Sequence, residues 1–397
     1  MFLAIVRFWY RGLIGSLYVE PRFHFHYFGL EWVNPLPARG MYAIFAIGAL
    51  TALGMGFGRY QRAAAAVFCG CFTYAELCEK SGYLNHYYFV SLVALLLACL
   101  PNAKQVPRAA LFVLRGQIAL VYFFAGLAKL DADWLLHAQP FRLWLSARAD
   151  APLIGGLLSE PASAYLIAWC GALFDLSAPF LLLWSRTRIY AYAAVVTFHV
   201  FTAVLFPTIG MFPWLMIAAT TIFFAPDWPR IGLASRATAA PPRCELSARM
   251  LAFFFLHFAI QAALPLRFVL YPGSPSWTDQ GFRFAWRVMI ADKIGSVRFD
   301  VVERGSQRRW SVEPRAYLTP FQERMMGQSP DMILELAHEV ERDFRTRTGG
   351  DVSVFADAWA SLNGRPSQRL IDPGVDLALE RDSLRPATWI LPLRGKP

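Results

Sequence analysis

Between residues 41 and 268 the chain offers one apolar run after another, each long enough or nearly long enough to cross a bilayer. A spanning helix needs about 20 mostly apolar residues, because the hydrocarbon core is about 30 Å thick and offers no water to stray backbone groups. The runs lie at roughly 41–58, 63–77, 87–100, 109–130, 162–184, 189–206, 210–225 and 250–268. The N-terminal stretch is apolar too, but it carries Arg7 and Arg11 and no A-x-A-like cleavage site, so it is expected to be retained as a first helix. The implied architecture is an all-α polytopic membrane bundle of about nine spans. Composition points the same way, with 56% hydrophobic and only 17% charged residues among 397.

The formal charge of +10 is dispersed through short connections and forms no basic stripe, which excludes a nucleic-acid-binding surface. Arg59 and Arg62, Lys104 and Arg108, Arg186 and Arg188, and Arg230, Arg236, Arg243 and Arg249 fall in alternate connections. The other connections hold fewer basic residues (Arg22, Arg39, Lys80, Arg142, Arg148). By the positive-inside rule the richer set faces the cytoplasm, and with an inside N-terminus and nine spans the chain after Phe268 emerges outside. There its character changes: 296–302 and 352–355 alternate like strands, and 332–347 reads as a helix. A transmembrane helical domain over 1–270 is therefore expected to carry an extracytoplasmic α+β domain over 271–397, in the cell inner membrane. The piece 234–243, rich in Ala and Pro, reads as a loop. Six cysteines all lie at or before Cys244, which rules out a disulfide-stapled external domain, and Cys69, Cys71 and Cys78 lack zinc-ligand spacing, so no metal is expected.

Ionisable groups inside apolar runs are costly and mark function unless they cap, snorkel or pair. The candidates are His86, Arg115, Lys129, Asp175, His199 and His257. On the orientation above, His86, Lys129 and His199 sit on three helices at the same outer depth. The bland alternatives are definite: Lys129 could snorkel beside Asp131 and Asp133, an end-of-span histidine could be interfacial, and His257 and Arg115 could pair or cap. Asp175, near mid-span, alone keeps a transporter in view. Paired histidines of a bundle cytochrome are not evident. His338 falls on an amphipathic outer helix whose solvated face is its default place.

Four blocks resemble the vitamin K-dependent gamma-carboxylase family, whose membrane part is also called the horizontally transferred transmembrane domain. They are 25–33 (FHYFGLEWV) with 35–37 (PLP), 83–88 (YLNHYY), 115–118 (RGQI) leading into 121–134 (VYFFAGLAKLDADW), and Phe198-His199 with 205–206, 209–212 (IGMF) and 225–230 (APDWPR). Beyond the membrane, 360–365 (ASLNGR), 368–376 (QRLIDPGVD) and Thr388-Trp389 resemble the family's external region. The resemblance implies that Lys129 is the base that deprotonates reduced vitamin K, with Asn85 and His86 at the hydroquinone site and His199, Tyr122, Met211 and Phe212 binding the vitamin K hydroquinone or a related menaquinol. A lysine in a low-dielectric pocket is more easily neutral, as a base must be, and Asn85 and His86 could hydrogen-bond the quinol oxygens or a developing oxyanion.

The same resemblance implies dioxygen and carbon dioxide as co-substrates, membrane lipid as surroundings, and a glutamate-containing protein or peptide as the group carboxylated once the quinol has been oxidised to an epoxide. The sequence departs from the family at 290–297 (IADKIGSV), where animal members are rich in histidine and arginine after the tryptophan and methionine matching Trp286 and Met289. It also lacks the tethering cysteines and a further domain after Thr388-Trp389, so propeptide-style docking is not expected. A quinol-oxidising relative without carboxylase activity, or a non-catalytic membrane-binding or assembly protein, are the alternatives. The charge pattern makes one prediction independent of them: a reporter that matures only outside the cytoplasm, fused after Arg394, will be active, and activity of a cytoplasm-only reporter there would reverse the orientation.

Overall fold

The computed structural model describes residues 1–58, 60–100, 108–152, 154–225, 228 and 247–397. The basic positions Arg59, Lys104, Arg230, Arg236 and Arg243, the loop 234–243 and Cys244 lie outside the described residues.

Helix α1 (Phe2–Tyr10) lies against α2 (Ala38–Gly56), which is followed by α3 (Gln61–Leu77), α4 (Asn85–Cys99) and α5 (Arg108–Ala128). The short helices α6 (Ala132–Leu135), α7 (Phe141–Ser146) and α8 (Gly155–Ser159) lead to α9 (Pro161–Leu183), α10 (Arg188–Leu205), α11 (Phe212–Thr220) and α12 (Ala248–Leu266). Among the described residues, five helices are long and apolar enough to cross a membrane: α2, α5, α9, α10, and α12 with its continuation to Leu270. About nine spans were expected; five of the helices among the described residues are full length, while α4 and the 212–223 run are apolar but shorter. The N-terminal run does not make a full span. Its helix has nine residues, about 14 Å of rise, because Gly12 takes a left-handed φ of 67° one residue after the Arg11 cap.

In α9 the residues turned inward are mostly small (Ala164, Ala168, Gly171, Ala172, Ala178) and recur at three- and four-residue spacing, while Leu166, Leu173 and Phe180 point outward and are exposed. That is the membrane pattern: lipid solvates large side chains, and small ones let helices approach. The closest approach is at Gly126 of α5, where a Cβ would stand 2.8 Å from the backbone nitrogen of Leu176 in α9.

The external part is a four-stranded antiparallel sheet in the order β2-β1-β3-β4, formed by β1 (Lys293–Glu303), β2 (Arg309–Val312), β3 (Val352–Leu362) and β4 (Gln368–Arg369). Period-two alternation sends Val352, Val354, Ala356, Ala358, Ala360 and Leu362 to the buried face. Helix α13 (Pro275–Thr278) precedes the sheet; α14 (Pro320–Met326) and α15 (Pro330–Thr348) follow β2. Helix α15 starts on Pro330 and stops at Gly349 in the left-handed region (φ 72°), with Asp331 in its first turn and Arg345 and Arg347 in its last. The strands and helix expected at 296–302, 352–355 and 332–347 all lie inside these elements.

Phe25, from the loop between α1 and α2, is fully buried in the core of the external part beside Trp277, Phe299 and Met332. Its neighbours tie the two parts together. The backbone nitrogen of His26 donates to Glu335 at 2.7 Å, its ring Nδ1 lies 2.9 Å from the same carboxylate, and Gln322 donates to the carbonyl of Phe23. Buried Lys80 reaches Glu335 at 2.9 Å and Asp331 at 3.2 Å, and Arg283 meets Asp331 at 2.6 Å. Burial alone would raise the Asp331 carboxyl, but Arg283 and Lys80 outweigh it and hold the group well below the ordinary carboxylate range. Gly126→Ala is expected to wedge α5 off α9 and cost about 1–3 kcal/mol, read as a lower thermal unfolding midpoint of the purified protein in detergent.

Candidate functional site

At the close approach of α5 and α9, Lys129, the residue following α5, turns its amine back into the bundle. Its Nζ donates to Asp175 Oδ2 at 2.6 Å and to the carbonyl of Ala125 at 3.1 Å, and it stands 5.2 Å from the ring centre of Trp134. Lys129 and Asp175 are each 5% exposed. The lysine therefore does not snorkel beside Asp131 and Asp133, because a buried counter-charge lies nearer than the interface. Asp175, taken alone a hint of a transport path, is that counter-charge.

The pair lies in a narrow, mostly apolar slot of ≈ 70 Å³ between α5, α9, α10 and α11, whose wall also includes Tyr122, His199, Phe212, Met216, Val288 and Met289. Tyr122 Oη and His199 Nε2 are 2.9 Å apart, while His199 Nδ1 is buried with no hydrogen-bond partner among the described residues. Phe212 stands between two imidazoles, its ring centre 5.8 Å from that of His199 and 5.7 Å from that of His86.

Lys129, Tyr122, His199 and Phe212 thus come together as expected, and His86 borders the group across Phe212. Two expected members do not. Asn85, at the start of α4, accepts from the Tyr83 hydroxyl at 3.0 Å and donates to the backbone carbonyl of Arg287 at 3.1 Å, so it anchors a chain crossing rather than lining the slot. Met211 points into a neighbouring cavity of ≈ 50 Å³ with Arg7, Glu76 and Tyr87, because Met211 and Phe212, at the start of α11, face opposite sides. Arg115 caps the carbonyls of Ile222, Phe223 and Phe224, and His257 meets Gln117 at 2.8 Å, the pairing and capping expected of them. His338 is half-buried, and its Nε2 lies 2.9 Å from the carbonyl of Glu380.

The chain between α13 and β1 dips back into the membrane part and contributes Val288 and Met289 to the slot. Four non-glycine residues there, Asp279, Phe284, Trp286 and Met289, hold left-handed φ values of 59°, 59°, 57° and 53°. Such backbone costs on the order of 1 kcal/mol or more per residue and persists only where packing dictates it. Trp286 supplies that packing, buried in the membrane core and stacked 5.0 Å from Tyr88.

On the outer side, the loop that carries Lys129 is clamped. Asp133 accepts both guanidinium nitrogens of Arg365 at 2.6 and 2.7 Å and the Asn363 amide at 2.9 Å. Asp133 and Arg365 belong to two of the blocks that carry the family resemblance, yet the sequence alone did not join them, since they are 232 positions apart. Burial would raise the Asp133 carboxyl, but the Arg365 and Asn363 bonds prevail and lower it. A depressed carboxyl contributes stability that is present above its unfolded value and lost as pH falls through the folded one. Arg365→Gln should therefore cost about 3–5 kcal/mol near neutral pH. In thermal scans against pH, the variant should also lose the part of the acid destabilisation that this clamp produces.

Residues 1–228 match the family model described as the HTTM domain, and residues 246–396 match that of the vitamin K-dependent gamma-carboxylase, lumenal domain. No solved structure matches the chain.

Proposed function

The chain belongs to the vitamin K-dependent gamma-carboxylase family, and from that premise we propose that the slot seats a reduced naphthoquinone, vitamin K hydroquinone or a related menaquinol, for oxidation by dioxygen. At the level of the family this is a carboxylase-like membrane protein with an extracytoplasmic domain. The observation that carries the finer reading is the buried Lys129–Asp175 contact at the base of an apolar slot, a proton acceptor held where water is scarce. The slot is small beside the roughly 300–1,000 Å³ of ordinary ligand pockets, so seating a fused ring requires flexible side chains of the wall, Met216 and Met289, to turn aside.

When bound, the quinol supplies the electrons for dioxygen and a base strong enough to take a glutamate γ-proton. The chain's own residues manage the protons and charge. Lys129 can act as a base only as the free amine, and Asp175, 2.6 Å away, is placed to take its proton and then to hold the amine in line. When the Tyr122 hydroxyl donates to His199 Nε2, the ring proton is on Nδ1, the nitrogen that has no partner among the described residues. That leaves one oriented donor for an oxygen gaining negative charge. His86, behind Phe212, and Asn85, through the Arg287 carbonyl, shape the far wall.

Oxidation without carboxylation is the second reading, and one observation favours it. In the stretch 290–297, Asp292 accepts from the Trp144 indole at 2.6 Å and Lys293 is engaged by the carbonyl of Trp277 and by Asp279, so neither is free to handle a glutamate. The decisive assay is epoxide formation from reduced vitamin K and dioxygen by the protein in detergent. Lys129→Ala and Lys129→Arg should both abolish it, since a guanidinium keeps the charge and can still meet Asp175 but cannot serve as a base. Asp175→Asn should slow it by about 10²-fold or more. An active Lys129→Arg protein would mean that the pair is structural and the protein a scaffold.

A further inference from the structure

Among the described residues three carboxylates are buried, Glu76, Glu79 and Asp175. Asp175 has Lys129 at 2.6 Å, and Glu79 has the His24 ring and the Gln322 amide, each at 2.9 Å, and the backbone nitrogen of Ser81 at 3.0 Å. Glu76, on α3, is different. It is 9% exposed and its Oε2 accepts from Ser91 at 2.8 Å, but its Oε1 is fully buried with no partner among the described residues. A buried polar atom left unpaired is costly, the more so within a membrane, and a fold keeps one where something else completes it.

Glu76 belongs to the wall of the ≈ 50 Å³ cavity into which Met211 points, divided from the slot by Met211 and Phe212. Five rings make up much of the rest of that wall: Phe8, Tyr18, Phe45, Phe72 and Tyr87. Phe8 and Phe45 lie almost parallel with their centres 5.4 Å apart, while Tyr18 tilts against Phe45 at 5.6 Å and Tyr87 stands edge-on to Phe72 at 5.7 Å. Arg7 lines the same cavity but does not bond Oε1. On the outer faces of α1 and α2, Leu3, Val6, Ile47 and Leu50 are exposed, as suits lipid, so what enters between these helices comes from the bilayer.

The free oxygen restricts what that occupant is. An ionised Glu76 can only accept at Oε1, whereas a neutral one, with Ser91 donating to Oε2, carries its proton on Oε1 and donates. A hydroxyl answers both states, while an ammonium or an ether answers only one. The aromatic walls favour a flat ring. Water is the weaker occupant: the cavity is several times the roughly 10–15 Å³ that one water needs, and each water would want about two to four polar partners in a wall that is mostly carbon.

We propose that this cavity is a second ligand site, separate from the slot, which takes the ring of a membrane-soluble phenol and holds its hydroxyl on Glu76 Oε1. The flexible side chain of Met211 turns aside to admit the ring. The site requires neither Lys129 nor a quinol, and so goes beyond the function proposed above.

The test uses the full chain in detergent and a 4-alkylphenol with a diazirine on its chain, whose attachment points are mapped by mass spectrometry after illumination. Label should fall on the cavity wall, at residues such as Ile44 and Phe72. Unlabelled 4-butylphenol should compete at a concentration at least about tenfold lower than its methyl ether, 4-butylanisole. Glu76→Leu should remove that difference, and Glu76→Gln, whose amide both donates and accepts, should keep most of it. Equal competition by phenol and ether on the unaltered protein would overturn the proposal without recourse to any variant. So would label confined to slot residues such as Phe198 and Thr202, a preference that survives in Glu76→Leu, or the lack of any saturable label, which would leave the cavity to water. Because the label reports position, failure of the epoxide assay would count against the slot as a quinol site and not against this one.

Discussion

The contact on which most of the membrane part depends is that between Lys129 and Asp175. Two opposite charges in an apolar bundle are tolerable only when paired at close range, and pairing them requires α5 and α9 to pack closely enough for a lysine at one helix end to reach an aspartate inside the other. Gly126 makes that approach possible, and the small residues of α9 extend it along the helix. Once these helices are fixed, Trp134 is drawn in, its indole donating to the Ala168 carbonyl at 2.8 Å, and the turn after α5 is set in place for Arg365 to grasp Asp133 from the external side. The base, its counter-ion and the clamp on the outer domain are consequences of one packing choice.

Much of this was legible in the sequence and some of it was not, for physical reasons that differ by residue. The long helices α2, α5, α9, α10 and α12 announce themselves because a bilayer demands sustained apolarity, and β3 because one buried face demands alternation. Hydropathy does not register where the backbone turns, so the N-terminal run, which Gly12 ends early, gives no full-length helix, and among the described residues five helices reach full length. Lys129, Tyr122, His199 and Phe212 were placed together through family resemblance, not through periodicity. Asp175 carried a signal of its own: a lone acid in an apolar run needs a partner, and Lys129, at the end of a neighbouring helix, was the natural one. The Asp133–Arg365 clamp had no signal of that kind, since nothing local relates residues so far apart.

The site also shows how strain and anchoring are divided. The chain that crosses from α13 to β1 is left-handed at four non-glycine positions, yet it is pinned by Trp286 on Tyr88 and by Asn85 on the Arg287 carbonyl. The external part thus contributes wall residues to a slot within the membrane part, and neither part holds a complete site alone. This division accounts for Asn85, which belongs to the most recognisable motif of α4 but acts at one remove from the slot.

The burial of Phe25 in the external core has a consequence for biosynthesis. His26 and its partner Glu335 are 309 positions apart, so the earlier residue cannot find its place until a long stretch of later chain has been made. Domains ordinarily fold as they are made, N-terminal first. Here the loop after α1 must cross the bilayer early and wait, solvated and unpaired, while the later helices insert. The external core then closes around it last, so its assembly reports that every intervening helix has been threaded in the right direction: a mis-inserted span would strand Phe25 on the wrong side of the membrane from the sheet that needs it.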